Sequence, residues 1–166
     1  MSQEQFEKNE QSKSELKLLK KIEVSQEHYK ADAATVTCID DRFTDSVEAV
    51  KKEMGWDRVD SVKWAGGAAE IAKGSLEGKA ALGQIEKSIN LHDTKEIVLT
   101  MHEDCGACKG VMPEDHKGAL GFMQEELEKA GMVVQKFLAE KGKSRPIRLL
   151  AYGLDGVYEV DLPQVQ

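Results

Sequence analysis

The sequence predicts an α/β fold: a central, mostly parallel four-stranded sheet with an antiparallel edge strand and helices on both faces. Three observations predict it. Short β-rich runs at Thr35–Ile39, Val59–Trp64, Ile97–Met101 and Ile147–Tyr152 alternate with stretches of helical periodicity, the pattern of parallel strands joined by helical crossovers. The first and third runs are β-branched or largely apolar, as strands covered on both faces are. Finally, Leu154-Asp155-Gly156 separates the fourth run from Val157–Val160, a turn signature that folds the last run back as an antiparallel strand.

In chain order, an isolated Phe6 precedes Leu16, Leu19 and Ile22, which recur at helical spacing and predict an amphipathic helix from about Ser12 to Tyr29. Its apolar stripe is narrow, and it either packs on its own domain or lies as an arm on a second subunit. After the first strand, Asp45 and Glu48 read as a capping box for a helix carrying Val47, Val50 and Met54, closed by Gly55. The second strand runs into Ala65-Gly66-Gly67-Ala68. Paired glycines there permit positive φ, a close backbone approach to something bound, or a plain tight loop. Ser75 is a candidate N-cap for a helix turning Leu76, Ala80, Ile85 and Ile89 inward and ending near Asn90. Beyond Pro113, the positions Leu120, Met123, Leu127, Val134, Phe137 and Leu138 describe one long helix or two broken near Gly131, the break being expected.

The chain has 166 residues, 40% hydrophobic and 32% charged, with a net charge of −7. That length suits a single core, here an α/β domain over residues 33–166 preceded by an N-terminal arm over 1–32. The acidic balance speaks against nucleic-acid and anionic-membrane partners. With no apolar leader segment and three cysteines, the expectation is a cytoplasmic protein without a disulfide framework.

Two short runs carry the chemistry: Cys38-Ile39-Asp40-Asp41-Arg42 and His102-Glu103-Asp104-Cys105-Gly106-Ala107-Cys108. Each stands where a strand gives way to its loop, the end at which open α/β sheets bind ligands. In several of the allowed topologies the first and third strands are neighbours with their helices leaving to opposite sides, which brings Cys38 and His102 together. Two thiolates and an imidazole delivered there make a zinc site with room for a fourth ligand.

These runs resemble the motifs of the β-class carbonic anhydrases. Cys38, Asp40 and Arg42 match Cys-x-Asp-x-Arg, and His102, Cys105 and Gly106 match His-x-x-Cys-Gly. Ala65-Gly66 falls where that family has an Asn-Ala-Gly loop, and Tyr152–Gly156 is similar to its terminal hairpin, so the resemblance covers roughly residues 35–160. It implies a Zn2+ ion held by Cys38, His102 and Cys105, with a catalytic Asp40–Arg42 dyad beside it and Gly66 and Gly67 at the substrate. The implied reaction is reversible hydration of carbon dioxide to bicarbonate by a zinc-bound hydroxide, more active on the alkaline side. In a closed form Asp40 itself would be the fourth ligand. The resemblance also implies a homodimer or higher homo-oligomer.

Departures from the family accompany the matches. Lys63-Trp64-Ala65-Gly66-Gly67 stands where relatives commonly have Arg-Asn-Ala-Gly-Asn, and Asp41 replaces a usual Ser, placing another carboxylate near the metal. The altered loop keeps CS2 or COS hydrolysis open as an alternative activity. Cys108 opens two more readings: a closed, structural Cys3His site, or a redox-active Cys-x-x-Cys pair. For proton transfer to solvent, His28, His92 and His116 are available without one being singled out.

Overall fold

The computed structural model describes residues 16–163. Four parallel strands and one antiparallel edge strand form a single sheet in the order β2-β1-β3-β4-β5. The strands are β1 (Ala33–Thr37), β2 (Val59–Lys63), β3 (Glu96–His102), β4 (Ile147–Tyr152) and β5 (Val157–Val160). Both central strands, β1 and β3, pair parallel, with Val36 opposite Leu99. The hairpin returns β5 along β4 as expected, Tyr152 opposite Val157.

Alternation along these strands divides the core in two. Ala34, Val36, Ile97, Leu99, Met101, Leu149 and Ala151 face one side, and Ala33, Val98, Leu150 and Tyr152 face the other. Helix α1 (Thr44–Glu53) covers the second side with Val47 and Val50. The other three helices cover the first: α2 (Ala69–Lys73), α3 (Leu76–His92) and α4 (His116–Glu140). The helices that follow β1 and β3 therefore leave to opposite faces, opening a crevice between the two strands at their C-terminal ends.

Several local expectations are corrected. Residues 16–30 carry no helix; Leu16, Leu18, Leu19, Ile22 and Val24 are exposed, and the expected start at Ser12, like Phe6, lies outside the described residues. A short amphipathic helix is marginal in water without a surface to pack on, and residues 16–28 are exposed throughout. The chain is instead fastened from Tyr29 onward, where the Tyr29 hydroxyl donates to Asp60 Oδ1 (2.6 Å) and the Ala31 N–H to the His92 carbonyl (2.9 Å). Strand β1 ends at Thr37, leaving Ile39 61% exposed.

The Asp45–Glu48 capping box does not form. Helix α1 begins two residues earlier than that box requires, out of a 3-10 turn over Asp41–Phe43, and its start has no side-chain cap. Asp45 instead lies in the first turn, where its charge suits the helix dipole. Ser75 does cap α3, accepting the Gly78 N–H at 3.1 Å, but the buried face is Gly78, Ala81, Ile85, Ser88 and Ile89, while Leu76 is 80% exposed. The reason is Gly78: a Cβ there would stand 2.1 Å from the Glu70 carbonyl oxygen, so α2 and α3 meet backbone to backbone. Helix α4 runs unbroken through Gly131, whose missing side chain makes room for Leu149 and Leu162.

Candidate metal centre

The crevice between β1 and β3 collects the residues singled out from the two motifs. Cys38 follows β1 directly and His102 is the last residue of β3. Cys105 follows two residues of turn later, ahead of a 3-10 turn over Gly106–Cys108. The ligand atoms of Cys38, His102 and Cys105 all lie within 4.8 Å of one another, the two sulfurs 3.9 Å apart. Cys108 is not part of this group. It is fully buried.

The imidazole is oriented by its neighbours. Its Nδ1 lies 2.8 Å from the Glu103 carbonyl, which places the proton on Nδ1 and leaves Nε2 a bare acceptor. Phe43 packs on the ring at 4.3 Å between centroids. Nε2 itself is buried and without a hydrogen-bond partner among the described residues, a costly arrangement unless something of opposite character faces it. Two sulfurs do stand beside it, so the donor set and the orphaned nitrogen together fit a divalent ion of zinc's softness. Without an ion the thiols resist ionisation: the Cys105 hydrogen bond and burial push Cys38 up to about 11. Burial pulls the His102 imidazole down, but the Cys38 thiol and the Glu103 carbonyl outweigh it and leave it raised. The Gly66 N–H donates to Cys38 Sγ at 3.4 Å.

Beside this group, Arg42 forks onto Asp40. Nη2 donates to Oδ2 at 2.7 Å, Nε reaches both carboxylate oxygens at 3.1 and 3.2 Å, and the Arg42 backbone N–H adds a bond to Oδ1 at 3.1 Å. The guanidinium holds the Asp40 carboxyl well below its usual range, at about 2. Asp40 Oδ2 lies 3.8 Å from His102 Nε2, so the dyad faces the ligand group.

The loop after β2 forms the wall. Its glycines do take positive φ, +91° at Gly66 and +55° at Gly67, and a Cβ on Gly67 would stand 2.6 Å from the Thr100 carbonyl oxygen and 3.1 Å from the Cys38 nitrogen, so what they approach closely is the chain's own backbone. The close approach is to the ends of β1 and β3. The Trp64 N–H donates to the Thr37 carbonyl and the Ala68 N–H to the Thr100 carbonyl, both at 3.0 Å, which ties the loop to the site. Trp64 Nε1 is buried and unpartnered among the described residues.

Some residues lie elsewhere than expected. Asp41 is exposed and accepts the Thr44 hydroxyl at 3.0 Å, so it serves the start of α1 and adds no carboxylate to the ligand group. His92 pairs with Asp60 (2.7 Å) near the opposite, N-terminal end of β2, and His28 is exposed on the segment before β1. His116, at the start of α4, pairs with the buried Glu103 at 2.8 Å.

Three participants escaped the sequence reading. Asp104 adopts φ +54° and takes Arg42 on its carboxylate (2.9 Å) and carbonyl (3.1 Å), fixing the far side of the guanidinium. Its position inside His-x-x-Cys and the tolerance of Asp for left-handed backbone were the available signals. Phe43 and Glu103 had none, because stacking on His102 and burial beneath Leu154 are set by tertiary packing.

The sequence matches the family described as "Putative carbonic anhydrase" over residues 28–142. It is 30% identical over 153 residues to an uncharacterized protein of Rickettsia bellii (strain RML369-C), an alignment that spans 86% of this chain and 92% of that one. The fold is similar to a tetrameric beta-carbonic anhydrase of Sordaria macrospora, with TM-score 0.54 and 14% identity over 82% of this chain and 84% of that one. It is also similar to beta-carbonic anhydrase isoform I of Trichomonas vaginalis, with TM-score 0.53 and 20% identity over 96% of this chain and 98% of that one.

Proposed function

Because the chain belongs to this carbonic anhydrase family, we propose that it catalyses the reversible hydration of carbon dioxide to bicarbonate, with Zn2+ held by Cys38, His102 and Cys105. The observation that carries the reading is the convergence of those three donors from loops far apart in the chain, with the Asp40–Arg42 pair against them. When bound there, zinc supplies Lewis acidity that brings the pKa of a water from about 16 towards about 7.

The chain's own residues do the rest. Arg42 keeps Asp40 ionised and directs its carboxylate, so that Asp40 is held off the open ligand position and can accept a hydrogen bond from the attacking water. An acceptor so placed contributes about 10²–10⁴ in rate. The Gly66–Gly67 turn is proposed as the wall against which the small linear substrate lies. Its amide N–H groups are already committed, Gly66 to Cys38 Sγ and Gly67 to the Trp64 carbonyl, so it shapes the pocket and does not donate to substrate.

The unit that does this is proposed to be residues 33–166, with residues 1–32 as an arm laid on a second subunit of a cytoplasmic homo-oligomer. The exposed Leu16, Leu18, Leu19, Ile22 and Val24 support such an arm, because apolar side chains presented together are suited to an interface.

Metal analysis of the purified protein combined with stopped-flow CO2 hydration tests the proposal. About one zinc per chain with CO2 hydration is the expected result. A zinc-loaded protein inert to CO2 but active on CS2 or COS, assayed beside it, would move the substrate assignment to those molecules.

A further inference from the structure

Cys108 is a thiol that the ligand set leaves unused. It is fully buried, and its N–H donates to the Cys105 carbonyl at 2.9 Å, closing the 3-10 turn that carries both cysteines. The Val111 and Met112 N–H groups in turn hold its own carbonyl, at 3.1 and 3.0 Å. Three residues of 3-10 rise separate the two cysteines by about 6 Å, inside the Cα window of roughly 4.4–6.8 Å that a disulfide requires. Gly106 lies between them with open space where a Cβ would stand, so the turn has room to adjust. The Cys105 side chain thus has a sulfur on either side in the chain's arrangement: Cys38 Sγ at 3.9 Å in the ligand group, and Cys108 one 3-10 turn further along, tied to it through the backbone.

We propose that Cys105 and Cys108 form a redox-responsive dithiol whose closure to a disulfide removes Cys105 from the ligand set and releases the metal. The inference rests on the ligand set proposed above. In the loaded protein Cys38 and Cys105 would both be held by the ion, and Cys108 is the thiol left over to resolve an oxidised Cys105. The oxidant is hydrogen peroxide. Its O–O bond breaks as the Cys105 thiolate takes one oxygen, giving a sulfenic acid and, with a proton, water. The Cys108 thiol then attacks that sulfur; the S–S bond forms, the S–O bond breaks, and the oxygen leaves with the Cys108 proton as a second water. Two electrons pass from the sulfurs to the peroxide. Cys108 needs no contact with solvent, because the oxidising equivalent is delivered to it through Cys105.

The test treats the full-length, zinc-loaded protein with a few equivalents of hydrogen peroxide, follows free zinc with a chromophoric chelator, and maps the cysteines by tryptic digestion. Cys105 and Cys108 share the peptide Glu96–Lys109. A Cys105–Cys108 disulfide therefore appears as that single peptide lacking two hydrogens and refusing alkylation, whereas a Cys38–Cys105 bond joins two peptides. The expected result is zinc release in step with the first product, reversed by dithiothreitol and fresh zinc. Cys108→Ala and Cys108→Ser, each checked for zinc before oxidation, should release it at least about tenfold more slowly and recover poorly, because their sulfenic acid has no resolving thiol.

Joined peptides through Cys38, or equal release by the variants, would overturn the dithiol. A wild-type protein that binds no zinc beforehand defeats the ligand reading instead. In that event the peptide map still decides the dithiol: the modified Glu96–Lys109 peptide supports it and its absence overturns it.

Discussion

Arg42 grips Asp40 with its side chain and its backbone at once, and the same guanidinium is anchored on Asp104 at 2.9 Å. Asp40 is thereby held ionised and 3.8 Å from His102 Nε2. Replacing Arg42 by Ala should leave the three metal donors in place while freeing the carboxylate to turn. Zinc content should stay near that of the wild type, and CO2 hydration should fall by about 10² or more. With the Asp40 carboxyl lowered to about 2 by Arg42, the pairing is complete above the ordinary value near 3.8 and is lost as pH falls through about 2. The dyad therefore adds no acidic limb to the rate profile above about pH 4. A variant with undiminished turnover would remove Asp40–Arg42 from the mechanism.

Each donor in the ligand group should be indispensable for metal. Cys38→Ser, Cys105→Ser and His102→Ala should each bind zinc at least about tenfold more weakly. Because ligands that bind only the folded state stabilise it, by about 2.7 kcal/mol at a hundredfold excess over Kd, zinc should raise the melting temperature of the wild type and not of these variants. Differential scanning fluorimetry with and without zinc reads this directly. A thermal shift preserved in the His102→Ala variant would place the metal elsewhere.

Two glycines that both abut neighbours should respond very differently to alanine. At Gly67 a Cβ would meet the Thr100 carbonyl oxygen at 2.6 Å and the Cys38 nitrogen at 3.1 Å, on a residue held at φ +55°. Backbone on both sides cannot give way, and the strain adds to the clash, so Gly67→Ala should cost about 3 kcal/mol or more. At Gly131 the nearest atoms are the tips of Leu162 (2.5 Å) and Leu149 (3.2 Å). Those can rotate, and Ala gains roughly 1 kcal/mol of helix propensity over Gly, so Gly131→Ala should cost little. Urea unfolding of both variants compares them, and equal losses would contradict this account.

The difference between what the sequence disclosed and what it concealed follows the range of the interactions. Strand β4, the β4–β5 hairpin and the Ser75 cap were legible because their signals are local: a short, largely apolar run, Asp-Gly, a Ser ahead of a helix. The convergence of Cys38, His102 and Cys105 was legible because they stand at or just beyond strand ends, within two recognisable motifs. The inward face of α3 and the continuity of α4 were not, since both depend on glycines that act as contact points in the fold, Gly78, on which periodicity is silent, and Gly131, which reads as a break. The segment before Tyr29 shows the converse. Its helical spacing is real, yet periodicity alone does not hold a helix that packs against nothing.

Glu103 links the metal centre to the start of α4, and its behaviour with pH should show it. Its side chain, 6% exposed, accepts the Leu154 N–H at 3.0 Å and lies 2.8 Å from His116 Nδ1, while its carbonyl accepts the proton of His102 Nδ1. Glu103, with Asp155 further out, raises the His116 pKa. A group whose folded pKa is raised stabilises fully below its unfolded value, about 6.5 for His, and that contribution is lost as pH rises through the folded value. His116→Asn should therefore destabilise the protein more at about pH 5.5 than at about pH 9. In NMR titrations the His116 midpoint should lie above 6.5 and fall in Glu103→Gln, which keeps an acceptor for Leu154 but removes the charge. Equal destabilisation by His116→Asn at both pH values would mean that the pair is not charged in the folded protein.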